Sequence, residues 1–261
     1  MTENNINSLL DLDHIKLLFS IFKNNNSEIR LVGGSIRDTL MNREIGDIDS
    51  ATSLEPNDVL ELLEKNNIEY DDFAIRYGSI TAYPNNKKIQ ITSLREDINQ
   101  LGRHTSVLYT KDWKKDAARR DFTFNALYLG NNLKFYDYYN GQKDLKNKSI
   151  KFIGEIEDRI KEDYLRIYRY FRFLGLFDLP QVNNKTQLII EKYIHESLIV
   201  LTNDVLRQEI LKMFNMPYPL NCFYQSHVKF KWVEIVKEHF IKTNYELGLK
   251  KCLNKIDNII N

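Results

Sequence analysis

Apolar positions recur along this chain in two rhythms, and the place where one gives way to the other divides it. Between residues 6 and 23, Ile6, Leu9, Leu10, Ile15, Leu18, Phe19 and Phe22 fall at helical spacing and predict an amphipathic helical stretch. Ile29, Leu31 and Val32 then read as a strand that stops at Gly33 and Gly34, after which Ser35 opens a helical pattern to about Met41. Asp47 and Asp49 flank Ile48. On an extended segment, residues i and i+2 point to one side, so both carboxylates face a common space while Ile48 faces the core. Pro56 begins a helix that buries Val59, Leu60, Leu62 and Leu63 and is stopped by Asn66 and Asn67. Two strands follow, at 77–83 and 88–94, joined by Pro-Asn-Asn-Lys, a turn sequence.

After about residue 145 the strand rhythm disappears and helical spacing takes over. Asp163, Arg166 and Arg169 fall three apart, which predicts one shared helix face, with Leu165, Ile167, Tyr168, Phe171 and Leu174 available for packing around it. Residues 201–214 predict another helix: Thr202 or Asn203 caps it, Leu206, Ile210 and Leu211 pack inward, and Glu209 and Lys212 stay polar. Past Pro217 come Tyr218, Phe223, Tyr224, Phe230 and Trp232, then a lysine-rich helical end.

Composition narrows the class. A chain of 261 residues with 43% hydrophobic residues can bury the core of one large or two small domains. No apolar run approaches the ~18 residues of a membrane span, and the acidic, Arg-free start MTENNINSLLDLD is unlike a signal or transit peptide, so a cytoplasmic protein is expected. Cys222 and Cys252 are too few and too far apart for a disulfide framework or a zinc knuckle, which fits a reducing compartment. A net charge of +1 gives no global attraction to nucleic acid, and an RNA partner would need local basic patches.

The glycine turn ahead of the paired aspartates carries the candidate chemistry. Glycines let backbone N–H groups close on a phosphate, and the helix start behind them adds partial positive charge. Two carboxylates beside a phosphate cradle suggest nucleotide chemistry with Mg²⁺, a hard cation that prefers oxygen. Each feature alone is commonly a plain turn or a solvated strand end. Together, GGSIRD and GDIDSAT resemble the first motif of the class II tRNA nucleotidyltransferase and poly(A) polymerase family, within the DNA polymerase β superfamily. RRDFTFNAL, residues 119–127, resembles its second motif, and 152–177 its fourth with flanks; 201–214 resembles the motif that closes the family's neck, departing at Val205, where a basic residue is common.

The resemblance implies an α+β protein: an N-terminal nucleotidyltransferase head with a small mixed β-sheet flanked by helices, then an all-α neck and a shortened helical C-terminus. The expected boundaries are 1–140 for the catalytic head, 141–216 for a neck that selects bases and binds RNA, and 217–261 for a truncated body. The implied activity is template-independent addition of CCA to tRNA 3′ ends from CTP and ATP. Rivals are a poly(A) polymerase, a CC-only enzyme and a non-catalytic RNA-binding relic. Asp47 and Asp49 would be the catalytic metal ligands, and Gly33, Gly34, Ser35 and Arg37 the phosphate cradle, with Asp38 as a structural partner.

Arg119 and Arg120 suit a triphosphate, Asp121 a ribose hydroxyl, and Asn125 would orient the sugar or Asp121, while Phe122, Phe124 and Leu127 anchor the stretch. Asp163 and Arg166 would read the base, with Arg169 beside them: cytosine and adenine both present an exocyclic amine next to an unprotonated ring nitrogen, whereas uracil and guanine present a carbonyl next to a ring N–H. Lys143, Lys146 and Lys148 would aid tRNA binding. Gly102, Arg103 and His104 mark an expected mobile polar loop, full-length as in enzymes that add the whole CCA. One departure stands inside the head: family members usually carry an acidic residue where this chain has Gln90, which predicts weakened metal affinity or a slower chemical step.

Overall fold

The computed structural model describes residues 2–101, 104–226 and 228–243. The chain divides into two compact units, a first of residues 1–99 and 105–145 and a second of residues 100–104 and 146 onward. The first opens with α1 (Thr2–Leu10), α2 (Asp13–Asn24), β1 (Ile29–Val32), α3 (Gly34–Leu40), β2 (Ile48–Thr52) and α4 (Pro56–Lys65). It continues with β3 (Tyr70–Asp71), β4 (Ser79–Ala82), β5 (Ile89–Ser93), β6 (Arg95–Leu101), β7 (His104–Tyr109), α5 (Trp113–Ala118), β8 (Leu127–Leu129), β9 (Phe135–Asp137) and α6 (Gly141–Lys146), whose last residue lies past the division.

Seven strands form one mixed sheet in the order β3-β4-β5-β2-β1-β8-β9, so the aspartate strand β2 is central. It pairs antiparallel with β1 and parallel with β5, in registers that set Asp49 opposite Val32 on one side and Gln90 on the other. Because the chain turns at Gly33 directly after Val32, the glycine turn is delivered beside Asp49. Alternation on β2 and β5 sends Ile48, Ile89 and Ile91 into a core that also holds Ile15, Leu18 and Phe22 of α2 and Val59, Leu62 and Leu63 of α4. The opposite face keeps Asp49 and Gln90.

Two expectations change here. The helical run predicted over 6–23 is broken at Asp11 and Leu12, with the Asp13 carboxylate in the first turn of α2. The segment expected to be a mobile loop around residue 103 is flanked by paired strands, β6 and β7, forming their own two-stranded sheet; Gly102 and Arg103 themselves lie outside the described residues.

The second unit holds α7 (Ile156–Glu162), α8 (Leu165–Leu174), α9 (Asn184–Lys192), α10 (Ile194–Val200), α11 (Asn203–Phe214), β10 (Tyr224–Gln225), β11 (Val228–Lys229) and α12 (Lys231–Lys242). The β10–β11 ribbon interrupts the helices expected past Pro217. Around it Phe171, Phe223, Phe230 and Trp232, all buried, pack with ring centroids 4.9 to 5.6 Å apart. Thr202 occupies the N-cap of α11 without a side-chain capping bond, while the Asn203 amide donates to Thr243 instead. Glu209, predicted polar and outward, is buried: it forms an ion pair with Arg172 of α8 at 3.0 Å. Leu211 is only half-buried, and Met213 takes the inward place. Among the described residues no helix is long and apolar enough to cross a membrane.

Candidate active site

Gly33 caps α3 with φ +79° and ψ −127°, a conformation that only glycine adopts at low cost. A Cβ there would sit 3.7 Å from the Asn125 carbonyl and 3.8 Å from an Arg120 guanidinium nitrogen, so the second motif lies directly against the turn. Ser35, in the first turn of α3, buries its hydroxyl without a hydrogen-bond partner, an orphaned donor at the mouth of the proposed phosphate cradle. Arg37 donates through Nε and one terminal nitrogen to the two Asp38 oxygens at 3.0 and 2.9 Å, and through the other to Asn125 Oδ1 at 2.8 Å. Asn125 Nδ2 in turn donates to Asp121 Oδ1 at 3.0 Å, and the Phe122 amide donates to the same oxygen at 2.8 Å. Motifs almost ninety positions apart in the chain thus join through one buried amide. Phe122, Phe124 and Leu127, fully buried, anchor the stretch as expected.

Asp47 stands just before β2 with an 80% exposed side chain and pairs with Lys88 Nζ at 3.6 Å. Asp49 is less exposed, and burial raises its pKa; Asp47 adds to the rise, while Arg120 and Lys88 oppose it. Asp47, by adding to that rise, stands as a near neighbour of Asp49, and an oxygen-donor pair of this kind fits a divalent cation. Among the described residues no cluster of three carboxylate, histidine or cysteine groups suited to a metal forms. The Gln90 amide, in register with Asp49, takes the neighbouring place.

Arg119 and Arg120 both lean on a residue the motif reading passed over. Asp116, fully buried in α5, accepts from Arg119 Nε at 2.9 Å and from Arg120 at 3.2 Å, and Tyr128 donates its hydroxyl to it at 2.6 Å. Burial pushes the Asp116 carboxyl up, but Arg120, Arg119 and the tyrosine hydroxyl outweigh it and hold the pKa at about 2. Its position three and four residues before the two arginines was the signal available in the sequence.

The three residues expected to read the base lie in the second unit, and the shared helix face does not form. Asp163 ends α7 with extended backbone (φ −151°, ψ 103°) and accepts from the Leu165 amide at 3.0 Å, so its side chain starts α8 rather than lying along it. The break needs neither glycine nor proline, because this carboxylate satisfies a donor of the new helix. Arg166, buried, donates to Glu162 at 2.6 Å and to the Arg159 carbonyl at 2.9 Å, and Arg169 lies over the Phe173 ring at 5.5 Å.

Residues 29–151 match the poly A polymerase head domain. Over 168 residues the chain is 43% identical to the Homo sapiens protein named CCA tRNA nucleotidyltransferase 1, mitochondrial, which covers 64% of this chain and 39% of that one. Over 169 residues it is 36% identical to a CCA-adding enzyme of Listeria monocytogenes, covering 64% and 42%. The fold superposes on the Bacillus stearothermophilus CCA-adding enzyme in complex with CTP with a TM-score of 0.71 and 25% identity, over 81% of this chain and 51% of that one. The chain spans about two fifths of the length of these curated relatives.

Proposed function

Since the chain belongs to the class II CCA-adding enzyme and poly(A) polymerase family, we propose that it transfers nucleotides without a template to the 3′ ends of tRNA, adding CCA from CTP and ATP. The observation that carries this is the delivery of the Gly33 turn beside the Asp47 and Asp49 carboxylates by the Val32–Asp49 register. Those two aspartates would hold a divalent cation, Mg²⁺ by its preference for oxygen ligands, which when bound supplies activation of a 3′ hydroxyl and neutralisation of leaving pyrophosphate charge. Gly33, Gly34 and Ser35 cradle phosphate with main-chain and hydroxyl donors, and Arg37 braces the turn through Asp38 and Asn125. Arg119 and Arg120 hold the triphosphate, and Asp121, oriented by Asn125, meets the ribose.

Base discrimination falls to Asp163 and Arg166, with Arg169 nearby. The Arg166 guanidinium is steadied by Glu162 and the Arg159 carbonyl, which favours a fixed donor edge. A site built of paired polar groups rejects a mismatched base strongly, because mismatch leaves buried groups unsatisfied. The catalytic head is assigned to 1–140, the neck to 141–216 and the C-terminal body to 217–261, with Lys143, Lys146 and Lys148 near the RNA. The cytoplasm suits Cys222, a buried free thiol.

Nucleotide addition to tRNA lacking its terminal residues, with CTP, ATP or both, tests the proposal. A stop after CCA supports it; a long A tract or a stop after CC overturns it in favour of a poly(A) polymerase or CC-only enzyme. Gln90 beside Asp49 favours one second reading, a non-catalytic tRNA binder, which predicts retained binding with no incorporation. Asp49→Ala should abolish incorporation, and an unchanged rate would remove the metal assignment.

A further inference from the structure

We propose that Asp116 is a positioning residue for the nucleotide site, a buried carboxylate that divides itself between the two arginines and keeps Arg120 aimed at phosphate instead of at the metal-binding aspartates. The inference rests on the reading that Arg119 and Arg120 hold the triphosphate. One oxygen, Oδ1, accepts from Arg119 Nε at 2.9 Å, lies 2.8 Å from a terminal nitrogen of the same guanidinium, and accepts from the Arg95 amide at 3.3 Å. The other, Oδ2, accepts from Arg120 at 3.2 Å and from the Tyr128 hydroxyl at 2.6 Å. The side chain is fully buried, so no water competes for either oxygen.

Charge counting gives the consequence. One carboxylate set between two guanidiniums leaves a net positive charge, which is what an anionic ligand requires. Arg120 also lies beside Gly33, whose added Cβ would come within 3.8 Å of it, and Gly33 directly follows Val32, the residue paired with Asp49 across β1 and β2. Asp49 is therefore a competing anion for the same guanidinium. Without Asp116, Arg120 is drawn toward Asp49, where it would neutralise a metal ligand and leave the phosphate cradle. Tyr128 contributes to the same arrangement: its hydroxyl donates to Asp116 and accepts from Arg120 Nε at 3.3 Å, closing a three-membered set. Arg95 adds a link of another kind, because its amide stands at the first residue of β6 and ties the hairpin's root to the carboxylate.

A merely structural role for Asp116 would lower stability and leave ligand affinity intact in the folded protein. The test is therefore equilibrium binding of CTP in EDTA, alongside KM and kcat with metal, on Asp116→Asn, Arg119→Ala, Arg120→Ala and the double variant Asp116→Asn/Arg120→Ala, each checked for folding by thermal melting. Asp116→Asn should weaken metal-free CTP binding about tenfold or more, the scale of one lost charge-assisted bond, and raise KM. The double variant should bind no more weakly than Arg120→Ala, because the two residues act as one unit. A folded Asp116→Asn protein within about twofold of the parent, with Arg120→Ala still weakened about tenfold, overturns the inference and leaves the triphosphate reading standing. Unchanged affinity in both arginine variants overturns that reading and the inference with it. Should Asp116→Asn fail to fold, Tyr128→Phe removes one bond from the same oxygen without stranding a charge; it should weaken CTP about threefold, and parental affinity would overturn the inference.

Discussion

Removing the Asn125 side chain tests whether the two motifs act as one piece. In Asn125→Ala, Arg37 loses the acceptor at 2.8 Å and Asp121 loses the donor at 3.0 Å. Hydrogen bonds to charged groups contribute about 1.5–3 kcal/mol each, and more when a charge is left stranded. Neither charge is stranded here, because Arg37 keeps both bonds to Asp38 and Asp121 keeps the Phe122 amide. The lower end therefore applies, about 3 kcal/mol for the pair. The chain has one tryptophan in each unit, Trp113 and Trp232, so urea unfolding of the first unit can be followed by Trp113 fluorescence in a Trp232→Phe background. The midpoint should fall by about 1 M or more with little change in slope. A shift corresponding to less than about 1 kcal/mol would refute the idea that this amide couples the glycine turn to the second motif.

Gly33→Ala should cost about 1–3 kcal/mol, measured by the same unfolding curve, because the cost is backbone strain at φ +79° and not a clash, the nearest atom being 3.7 Å away. Glu209→Ala removes the buried carboxylate that pairs with Arg172 at 3.0 Å and should destabilise the second unit by about 1.5–3 kcal/mol in denaturant, with Glu209→Gln less damaging. pH separates the two aspartates. Asp49 binds its proton more tightly folded than unfolded, so its contribution to stability grows as pH falls through the carboxylate range while divalent cation affinity declines; metal titration from pH 7 to 4 should show that loss starting at higher pH than for an ordinary aspartate. Asp116 has the opposite sign: its contribution is complete above the unfolded carboxylate range and disappears only as pH falls toward about 2, readable in acid unfolding.

What was legible in the sequence was whatever a local rule decides. The alternation around Ile48, the stop at Gly33, Pro56 at the first turn of α4 and the Pro-Asn-Asn-Lys turn each rest on backbone preferences within a few residues, and the elements formed where those preferences put them. The break at Asp163 was hidden because apolar spacing runs through it unchanged, and a carboxylate that begins a new helix leaves no mark in periodicity. Glu209 was misread for a different reason: its partner Arg172 lies 37 positions away, and a carboxylate whose charge is met at such a distance looks solvated in the sequence. Asp116 occupies an intermediate case. Its spacing to Arg119 and Arg120 was visible, yet only its burial beneath Tyr128 shows that both arginines lean on it.

The central place of β2 has a kinetic corollary. Sheets open from their margins, and here the margins are β3 and β9, two and three residues long, with the carboxylate strand held by ladders on both sides. Partial unzipping at either border therefore leaves the aspartates in place, and the amides of Ser50 and Ala51 should exchange with deuterium only when the whole head comes apart.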